Sequence, residues 1–497
     1  MNAGVLRWFR RWGWALAVAA CYFAFIGTGL NEPDEGRYAE IAREMAVVDG
    51  DWFTPHLNGI PHFQKPPLLY WLTALPLKVF GVHFWAARLP VVLAALGTLA
   101  LTAWLARMLL GSGMRRAAVL VLASSAGFFG LARVLTPDML LTFWITAAIA
   151  CVVHRHRGGG AFWGWAFFLA MGLGFMTKGP MALVVPLCAT LGLRWGTPRA
   201  ERPQLPRVRG LALTLALGLS WFVAQSLARK ELFDYFTGNE LLARFASAKH
   251  GRSKPWWFFI AVLPVAFLPW TAWLSTPAHR LWQRWRQRVP IGPGAGLLLG
   301  WVGPPFVILS LSGSKLPTYI LPLLPALTLG VVAWWRAQGR RKPPLLPVAA
   351  GMLALLVVLA GFRDYANPHL KQQAATGALA SLVREQPDFD KATLFAARVR
   401  AQGFTFATGR LLSVTEDEAD VVLKPTPEQG ARLFKNIAAL EKAMAALPVA
   451  YGLARRGDVP KAFPVDRWRE LGSQGDFVLL GRVQPEPVVP PKILKGN

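Results

Sequence analysis

The sequence predicts a polytopic α-helical membrane protein of about eleven transmembrane helices, followed by a small α/β domain outside the cytoplasm. Two observations predict the membrane part. Of the 497 residues, 54% are hydrophobic and only 16% are charged, and the apolar residues form blocks of roughly 17–22 separated by short basic loops. A third observation predicts the α/β domain, because charged residues become more frequent after residue 362 and short apolar runs alternate with helical-looking stretches such as 426–446. The predicted domains are therefore 1–362, with a first external loop at 31–87, and 363–497.

The formal net charge of +27 lies mostly in the short loops between the apolar blocks. Because lysine and arginine gather in the cytoplasmic loops of membrane proteins, these loops predict the orientation. The N-terminus is expected in the cytoplasm, with the first block as an uncleaved signal anchor. The same distribution argues against nucleic acid as a partner. The predicted spans are 12–30, 88–109, 116–132, 138–154, 161–177, 179–195, 209–227, 256–276, 294–312, 315–336 and 344–362.

The apolar segment 68–81 does not fit this alternation of sides. If it crossed the membrane, every later loop would change side and the basic loops would no longer share one face. It also contains Pro76 and Lys78. We therefore expect a surface-lying or re-entrant segment.

Acidic residues mark the start of the first external loop, which reads Asn31-Glu32-Pro33-Asp34-Glu35-Gly36-Arg37-Tyr38. Charge at the mouth of a membrane is expensive and is usually functional, so Asp34, Glu35, Arg37 and Tyr38 are candidate site residues. A solvated helix that Asp34 caps explains them equally well from local features. Asp138 has a similar alternative as a helix cap, but it is predicted at the same membrane face as Asp34. Two carboxylates there could bind or deprotonate an acceptor.

Lysines on the predicted external side depart from the orientation rule and indicate an anion site. Lys65 follows Gln64 in the first loop, and Lys178 lies in a tight turn between two spans. A snorkelling side chain is the alternative for Lys178, whereas cations beside acids would stabilise a leaving phosphate. A local helical ion pair is the alternative for Glu240 and Arg244. For Tyr319, which follows Lys315 by four residues, the alternative is an interfacial aromatic residue.

Taken in order, these motifs resemble the aminoarabinose transferases of Gram-negative bacteria, which belong to the protein mannosyltransferase-like, membrane-embedded GT-C glycosyltransferases. The resemblance covers roughly residues 10–340, and the ordered set is more specific than any single motif. The matching stretches are Asp34-Glu35-x-Arg37-Tyr38-Ala39-Glu40-Ile41, Gly50-Asp51-Trp52, Phe63-x-Lys65-Pro66, Thr136-Pro137-Asp138, Thr177-Lys178-Gly179-Pro180, Glu240-x-x-x-Arg244-Phe245 and Ser314-Lys315-Leu316-Pro317-Thr318-Tyr319.

The resemblance implies an inverting glycosyltransferase of the bacterial inner membrane. It would move 4-amino-4-deoxy-L-arabinose from an undecaprenyl phosphate ester to a phosphate of lipid A at the periplasmic face, with the α/β domain also periplasmic. By position it makes Asp34 the principal catalytic carboxylate and Asp138 the second. Donor or substrate contacts fall to Arg37, Tyr38, Lys65, Lys178, Arg244 and Tyr319, and lesser roles to Glu35, Gln64, Glu240 and Lys315.

Three departures from the family pattern leave other functions open. Gln64 stands where the family usually has glutamate, and a neutral amide is a poor metal ligand, so a divalent metal there is in doubt and no cofactor is required by the pattern. Gly36 stands where threonine is common, and eleven spans are fewer than the usual thirteen. The alternatives are transfer of a mannose- or hexosamine-type sugar to a protein or surface glycan, a glycolipid transporter, which would carry ionisable groups near the bilayer midplane, and a structural membrane protein.

Overall fold

The computed structural model describes residues 3–236, 238, 254–275, 279, 282–283, 286–338, 345–365, 368–417, 419 and 421–483. The chain forms two compact units that do not follow one another along the sequence. The first comprises Met1–Gly27, Met45–Pro55 and Phe63–Arg363, and the second comprises Thr28–Glu44, His56–His62 and Asp364–Asn497. The first external loop is thus divided between the two units.

The first unit is built from helices, which are numbered along the whole chain. They are α1 (Ala3–Phe23), α3 (Leu68–Phe80), α4 (Phe84–Leu110), α5 (Arg115–Ala123), α6 (Ala126–Leu131), α7 (Pro137–His156), α8 (Phe162–Lys178), α9 (Met181–Trp195), α10 (Arg207–Ala228), α11 (Glu231–Asp234), α12 (Phe258–Ala266), α13 (Pro293–Leu311), α14 (Leu324–Ala337) and α15 (Leu345–Tyr365). Short 3₁₀ helices occur at Ser112–Met114, Arg199–Glu201, Trp270–Trp273 and Pro317–Leu323.

Several of these helices suit a membrane by length and composition. Within the described residues, six helical segments qualify: Phe84–Leu110, Pro137–His156, Arg207–Ala228, Pro293–Leu311, Pro317–Ala337 and Leu345–Phe362. On α10 the leucines at 211, 215 and 219 are exposed at a spacing of four, which lines one helix face with apolar side chains, as contact with lipid requires. The predicted multi-pass membrane protein is confirmed, while the count of eleven spans stays a prediction.

Three predicted spans are wrong as continuous helices. The block 12–30 overlaps α1, which begins earlier and ends at Phe23. In 116–132 the helix breaks at Ser124 and Ser125, whose hydroxyls donate to the carbonyls of Leu120 and Val121; such back-bonding competes with the helical ladder. In 256–276, helix α12 ends at Ala266, and Pro269 has no N–H to continue it. Hydropathy measures how apolar a segment is but does not register these breaks.

The apolar segment 68–81 forms the helix α3. Its 13 residues make a helix about 20 Å long, which is short of the roughly 30 Å of a bilayer core. One side is buried, including Leu69 and Tyr70, while Leu75 and Val79 are exposed. The short length and the amphipathic character of α3 both fit the expectation that the segment does not cross the membrane.

The second unit combines short helices with two sheets. Its helices are α2 (Asp34–Arg43), α16 (Pro368–Arg384), α17 (Gln402–Thr408), α18 (Pro427–Gly430), α19 (Ile437–Ala445) and α20 (Val459–Ala462). Its strands are β1 (His56–Leu57), β2 (Ile60–Pro61), β3 (Thr393–Ala397), β4 (Ser413–Thr415), β5 (Leu433–Phe434), β6 (Ala450–Arg455), β7 (Trp468–Gln474) and β8 (Phe477–Arg482). Strands β1 and β2 form a hairpin from the first external loop.

The larger sheet has the strand order β5-β4-β3-β6-β8-β7. Its first four strands are parallel, with Leu394 opposite Tyr451 where β3 meets β6, and β8 and β7 are antiparallel. Alternate residues of β3 face opposite sides: Leu394 packs in a cluster with α16 and α17, whereas Phe395 packs in a cluster with α19. The predicted α/β character of this region is confirmed.

One local expectation for this region needs correction. The helical-looking stretch 426–446 is divided into α18, β5 and α19, because the chain turns at 431–432 after α18 and Asn436 caps the start of α19. Of the short apolar runs in this region, 477–480 forms most of β8, whereas 421–423 is not a strand.

Candidate active site

Three predicted site residues meet in the first unit. Asp138 lies in the first turn of α7, Lys178 is the last residue of α8, and Tyr319 lies in the 3₁₀ helix Pro317–Leu323. The ammonium of Lys178 donates to the Asp138 carboxylate at 2.5 Å, and it lies 4.5 Å from the centre of the Tyr319 ring. We call these three residues the lysine cluster.

The lysine cluster corrects two of the plainer readings of its members. Asp138 does not cap α7, because Thr136 holds the cap position and the carboxylate pairs with lysine instead. Lys178 does not simply extend toward solvent, since its side chain is only 17% exposed and that of Asp138 only 6%. A partly buried ammonium held between a carboxylate and an aromatic face lies where water screens its charge poorly.

The Asp34 group lies on α2 in the second unit. The helix begins at Asp34 with Pro33 at the cap position, so Asp34 does not cap it. Instead its carboxylate accepts a hydrogen bond from the Arg37 guanidinium at 2.6 Å. The same guanidinium lies 5.4 Å from the ring centre of the buried Tyr38. The Asp34 side chain is 43% exposed, which leaves it open to a ligand.

Glu35 has a structural role at the start of the same helix. It is buried and accepts hydrogen bonds from the backbone and the side-chain amide of Asn31, the former at 2.9 Å. These bonds fix the turn that leads into α2. The geometry therefore ties Glu35 to the helix start.

A buried ion cluster closes the other end of α2. Arg43 donates two hydrogen bonds to Glu40, at 2.6 and 2.7 Å, and a third to the carbonyl of Gly409 at 3.2 Å. Glu44 accepts from the backbone of Asn58 at 2.5 Å and of the next residue, Gly59, at 2.8 Å. Burial, and then the nearby Glu40 carboxylate, raise the pKa of Glu44 well above its ordinary value. This cluster joins α2 to the β1–β2 hairpin.

Gln64 and Lys65 lie in the first unit, in the loop before α3, and both are half-buried. The preceding Phe63 is fully buried and packs against Trp221 and Phe236, with ring centres 6.3 and 6.4 Å away. These aromatic contacts hold the loop that carries Lys65. Among the described residues, no three His, Cys, Asp or Glu side chains gather as a metal site would require.

Lys315, another predicted site residue, has a different set of contacts. Lys315 is buried, and its ammonium donates to the carbonyls of Ser312 at 2.5 Å and Lys254 at 3.0 Å, so it supports the local loop. Arg244 and Glu240 lie outside the described residues. Asp34, Arg37 and Tyr38 thus form one group in one unit, and Asp138, Lys178 and Tyr319 form another group in the other unit.

Arg133 is a further candidate, although it belongs to none of the motifs. It is 6% exposed, and its guanidinium lies 5.0 Å from the ring centre of Phe129. It precedes Thr136-Pro137-Asp138 in a loop predicted to be external. Its positive charge on that side was the signal, the same one that indicated Lys178.

Sequence comparison places the chain in a known family. The family model for dolichyl-phosphate-mannose-protein mannosyltransferases matches residues 29–225. The undecaprenyl phosphate-α-4-amino-4-deoxy-L-arabinose arabinosyl transferase of Edwardsiella ictaluri is 35% identical over an alignment of 381 positions, which covers 72% of this chain and 67% of that protein. The chain belongs to this arabinosyl transferase family. It is therefore a glycosyltransferase.

Other relatives with the same name agree, over smaller shares of their length. The arabinosyl transferase of Serratia proteamaculans is 33% identical over 65% of this chain and 59% of that protein. The one from Pseudomonas aeruginosa is 34% identical over 61% and 55%. The matched region thus spans somewhat over half of the length of each of these two proteins.

A solved structure shows that the fold is shared as well. The crystal structure of ArnT from Cupriavidus metallidurans bound to undecaprenyl phosphate has a TM-score of 0.78 to this chain, with 22% sequence identity, and the match covers 95% of this chain and 98% of that one. The apo form of the same protein gives the same TM-score over 96% of this chain. The chain therefore has the GT-C fold of the arabinosyl transferase family.

Proposed function

We propose that this protein transfers 4-amino-4-deoxy-L-arabinose from undecaprenyl phosphate to a phosphate of lipid A at the periplasmic face of the bacterial inner membrane. The 35% identity to an arabinosyl transferase over 72% of the chain carries the proposal. The N-terminus is then cytoplasmic, the α/β domain is periplasmic, and residues 1–362 form the catalytic domain. The lipid-linked donor reaches the protein from the bilayer itself.

The lysine cluster is suited to hold the donor phosphate. An ammonium has three donors, and Asp138 accepts from one at 2.5 Å, so Lys178 can bond a phosphate oxygen while still paired. Asp138 and Tyr319 set where that ammonium points. Because the leaving phosphate gains negative charge as its bond to the sugar breaks, a preplaced cation lowers the energy of the transition state more than that of the bound donor.

Asp34 is assigned to the sugar and the acceptor. Its 43% exposed carboxylate can bind the ammonium group of the aminoarabinose or orient the acceptor. Arg37 and Tyr38 line the same place on α2, and Lys65 and Arg244 add positive charge for the donor phosphate. Asp138 serves as the second carboxylate through its control of Lys178.

The reaction balances as a single displacement. An oxygen of the acceptor phosphate attacks the anomeric carbon and forms the new bond, while the bond from that carbon to the donor phosphate oxygen breaks and its electron pair stays on undecaprenyl phosphate. The configuration inverts. A phosphate acceptor is already an anion and needs no general base, so Asp34 positions groups in this reaction; a hydroxyl acceptor would require it to take a proton.

One observation favours a second candidate. The mannosyltransferase family model matches residues 29–225, which include α2 and the lysine cluster residues Asp138 and Lys178. Transfer of a mannose- or hexosamine-type sugar to a protein or surface glycan uses the same donor chemistry. The acceptor and the sugar, not the reaction class, separate the two candidates.

The deciding experiment is a transfer assay on purified full-length protein in lipid nanodiscs. It uses undecaprenyl phosphate-aminoarabinose and lipid A, with mass spectrometry of the product. We expect lipid A heavier by one aminoarabinose, and loss of that product in Asp34→Ala. Folded protein that binds undecaprenyl phosphate yet leaves lipid A unmodified would overturn the proposed sugar and acceptor and favour the second candidate.

A further inference from the structure

Glu32 joins the start of α2 to the sheet-bearing part of the second unit. One oxygen of its carboxyl group accepts hydrogen bonds from the backbone N–H of Gly403 and from the Thr376 hydroxyl, the latter at 3.2 Å. Those partners lie 371 and 344 residues further along the chain. Gly403 is in the first turn of α17, and Thr376 is in α16. Glu32 therefore ties the first external loop to two helices of the α/β domain.

Two glycines make this close approach possible. A Cβ atom added to Gly36 would lie 2.6 Å from Glu32 and 2.6 Å from the Gly403 nitrogen. A Cβ atom added to Gly403 would lie 2.5 Å from the Glu32 carboxyl. These distances leave no room for a side chain at either position. Gly36 thus replaces the family's usual threonine at the point where the backbones of α2 and α17 meet around Glu32.

The Glu32 carboxyl has an unusual electrostatic setting. No described residue donates a hydrogen bond to its second oxygen, which is buried. Burial raises its pKa to about 8; the bonds from Gly403 and Thr376 oppose this rise, and the nearby Glu35 and Glu40 add to it. At neutral pH the group is mostly protonated, so it anchors the loop as a neutral hydrogen-bonding group.

Glu32 lies two residues before Asp34, at the end of α2 that carries this carboxylate. The opposite end is held separately, since Arg43 donates to the Gly409 carbonyl at 3.2 Å. With both ends fixed, α2 cannot slide or rotate freely. A displacement of about 1 Å in a positioning group can lower a reaction rate by about 100-fold.

We propose that Glu32 is a positioning residue for the transfer reaction, which fixes the start of α2, and with it the Asp34 carboxylate, by bonding Gly403 and Thr376. This rests on the proposed function, because it takes Asp34 to act on the sugar or acceptor. It also gives the α/β domain a role in that reaction, as the scaffold that holds the Asp34 group.

Kinetics of two Glu32 variants test this role. Glu32→Ala removes the carboxyl oxygen that accepts the hydrogen bonds from Gly403 and Thr376, and kcat per folded molecule should fall by roughly 10–100-fold. The KM for the sugar donor should change by less than about threefold, because the lysine cluster is intact. Glu32→Gln keeps an oxygen that accepts from Gly403, so its kcat at pH 7 should return to within about threefold of wild type. The matched control is Glu470→Gln, a surface glutamate of β7, which should leave kcat unchanged.

Hydrogen exchange gives a readout that does not need activity. Backbone amides of residues 34–40 should exchange at least tenfold faster in Glu32→Ala than in wild type, while those of β6 stay unchanged. Wild-type kcat in Glu32→Ala, or unchanged exchange at 34–40, would overturn the proposal. Equal loss of kcat in the Gln and Ala variants would also overturn it. A wild-type protein that makes no product would instead count against the proposed function, since the exchange result stands by itself.

Discussion

Two carboxylate–cation pairs of nearly equal length differ in how the chain makes them. The Lys178–Asp138 contact is 2.5 Å and joins residues 40 apart, with side chains 17% and 6% exposed. The Arg37–Asp34 contact is 2.6 Å and joins residues three apart on one helix, with side chains 12% and 43% exposed. The first pair exists only after α7 and α8 have packed, whereas the second needs only the helix α2.

The difference separates folding from chemistry. A pair at i,i+3 on a helix contributes about 0.2–0.5 kcal/mol, so Asp34 can be changed with little effect on stability. Removing one partner of a buried pair leaves a charge without compensation and costs about 3–5 kcal/mol. For Lys178 and Asp138, which are partly exposed, the cost is smaller but still larger than for Asp34. The lysine cluster therefore needs paired variants before its chemistry can be measured.

The largest expected effect is that of Lys178→Ala. Transfer should fall by roughly 100–1,000-fold, as for loss of one group that stabilises developing negative charge. The melting temperature should fall as well, because Asp138 is left without its lysine. Turnover per folded molecule and thermal unfolding, both in the same lipid nanodiscs, measure the two effects.

The double variant Lys178→Ala with Asp138→Ala separates those effects. It removes both charges, so the melting temperature should recover toward wild type while transfer stays low. Recovered transfer in the double variant would mean that the Lys178–Asp138 pair only supports the fold. It would contradict the proposal that Lys178 stabilises the leaving phosphate.

A smaller loss of activity with almost no loss of stability is expected for Asp34→Asn. The amide keeps the shape but cannot hold a cation as a carboxylate does, so turnover should fall by more than about tenfold. The free energy of unfolding should change by less than about 1 kcal/mol, as for an exposed ion pair. Asp466→Asn, an exposed aspartate of the same unit, is the matched control.

Turnover of Asp34→Asn within tenfold of wild type, in folded protein, would remove Asp34 from a central role. A large drop in stability would contradict the view that its pair with Arg37 is local. Chemical denaturation of the purified variants provides the stability values, and the transfer assay provides the turnover.

The sequence was sufficient for features that depend on composition over many residues. Apolar blocks predicted the long helices α4, α7, α8, α9, α10, α13 and α15 within a few residues, for example 138–154 for α7 (Pro137–His156). The blocks 116–132 and 256–276 were wrong as single helices because Ser124 and Pro269 act through hydrogen bonds, which average hydropathy does not register.

Candidate site residues could be singled out from the sequence where a charge departed from its expected side. Lys178 was singled out in this way, and Asp138, which the structure pairs with it, was expected at the same face. The engagement of Lys315 with two backbone carbonyls was not predictable, because it depends on how a loop folds back. The role of Glu32 was not predictable either, since its partners Gly403 and Thr376 are more than 300 residues away in the chain.

The smallest expected effect on transfer is that of Glu32→Gln. This variant tests whether the Arg37–Asp34 pair depends on α2 alone, since Glu32 links α2 to residues distant in the chain. The pKa of Glu32 is raised from 4.5 to about 8 in the folded protein. The folded state therefore binds more protons than the unfolded state between these values, and the stability of the wild type should fall as pH rises through that window. Glu32→Gln does not titrate, so it should melt with wild type near pH 5 and above it near pH 8.

A gap on the order of 10 °C at pH 8 is expected. The shift from pKa 4.5 to about 8 corresponds by linkage to roughly 4 kcal/mol of stability lost by the wild type at that pH, and about 1 kcal/mol lowers the melting temperature of a domain of 150–250 residues by about 2–4 °C. Thermal unfolding across pH 5–9 measures it, with Glu470→Gln as the control that should follow the wild type throughout. Parallel curves for wild type and Glu32→Gln would show that Glu32 has the same proton affinity in both states. The carboxyl group of Glu32 would then be as accessible to water as that of Asp34. The Arg37–Asp34 pair would depend on α2 alone, in contrast to the Lys178–Asp138 pair, which needs two packed helices.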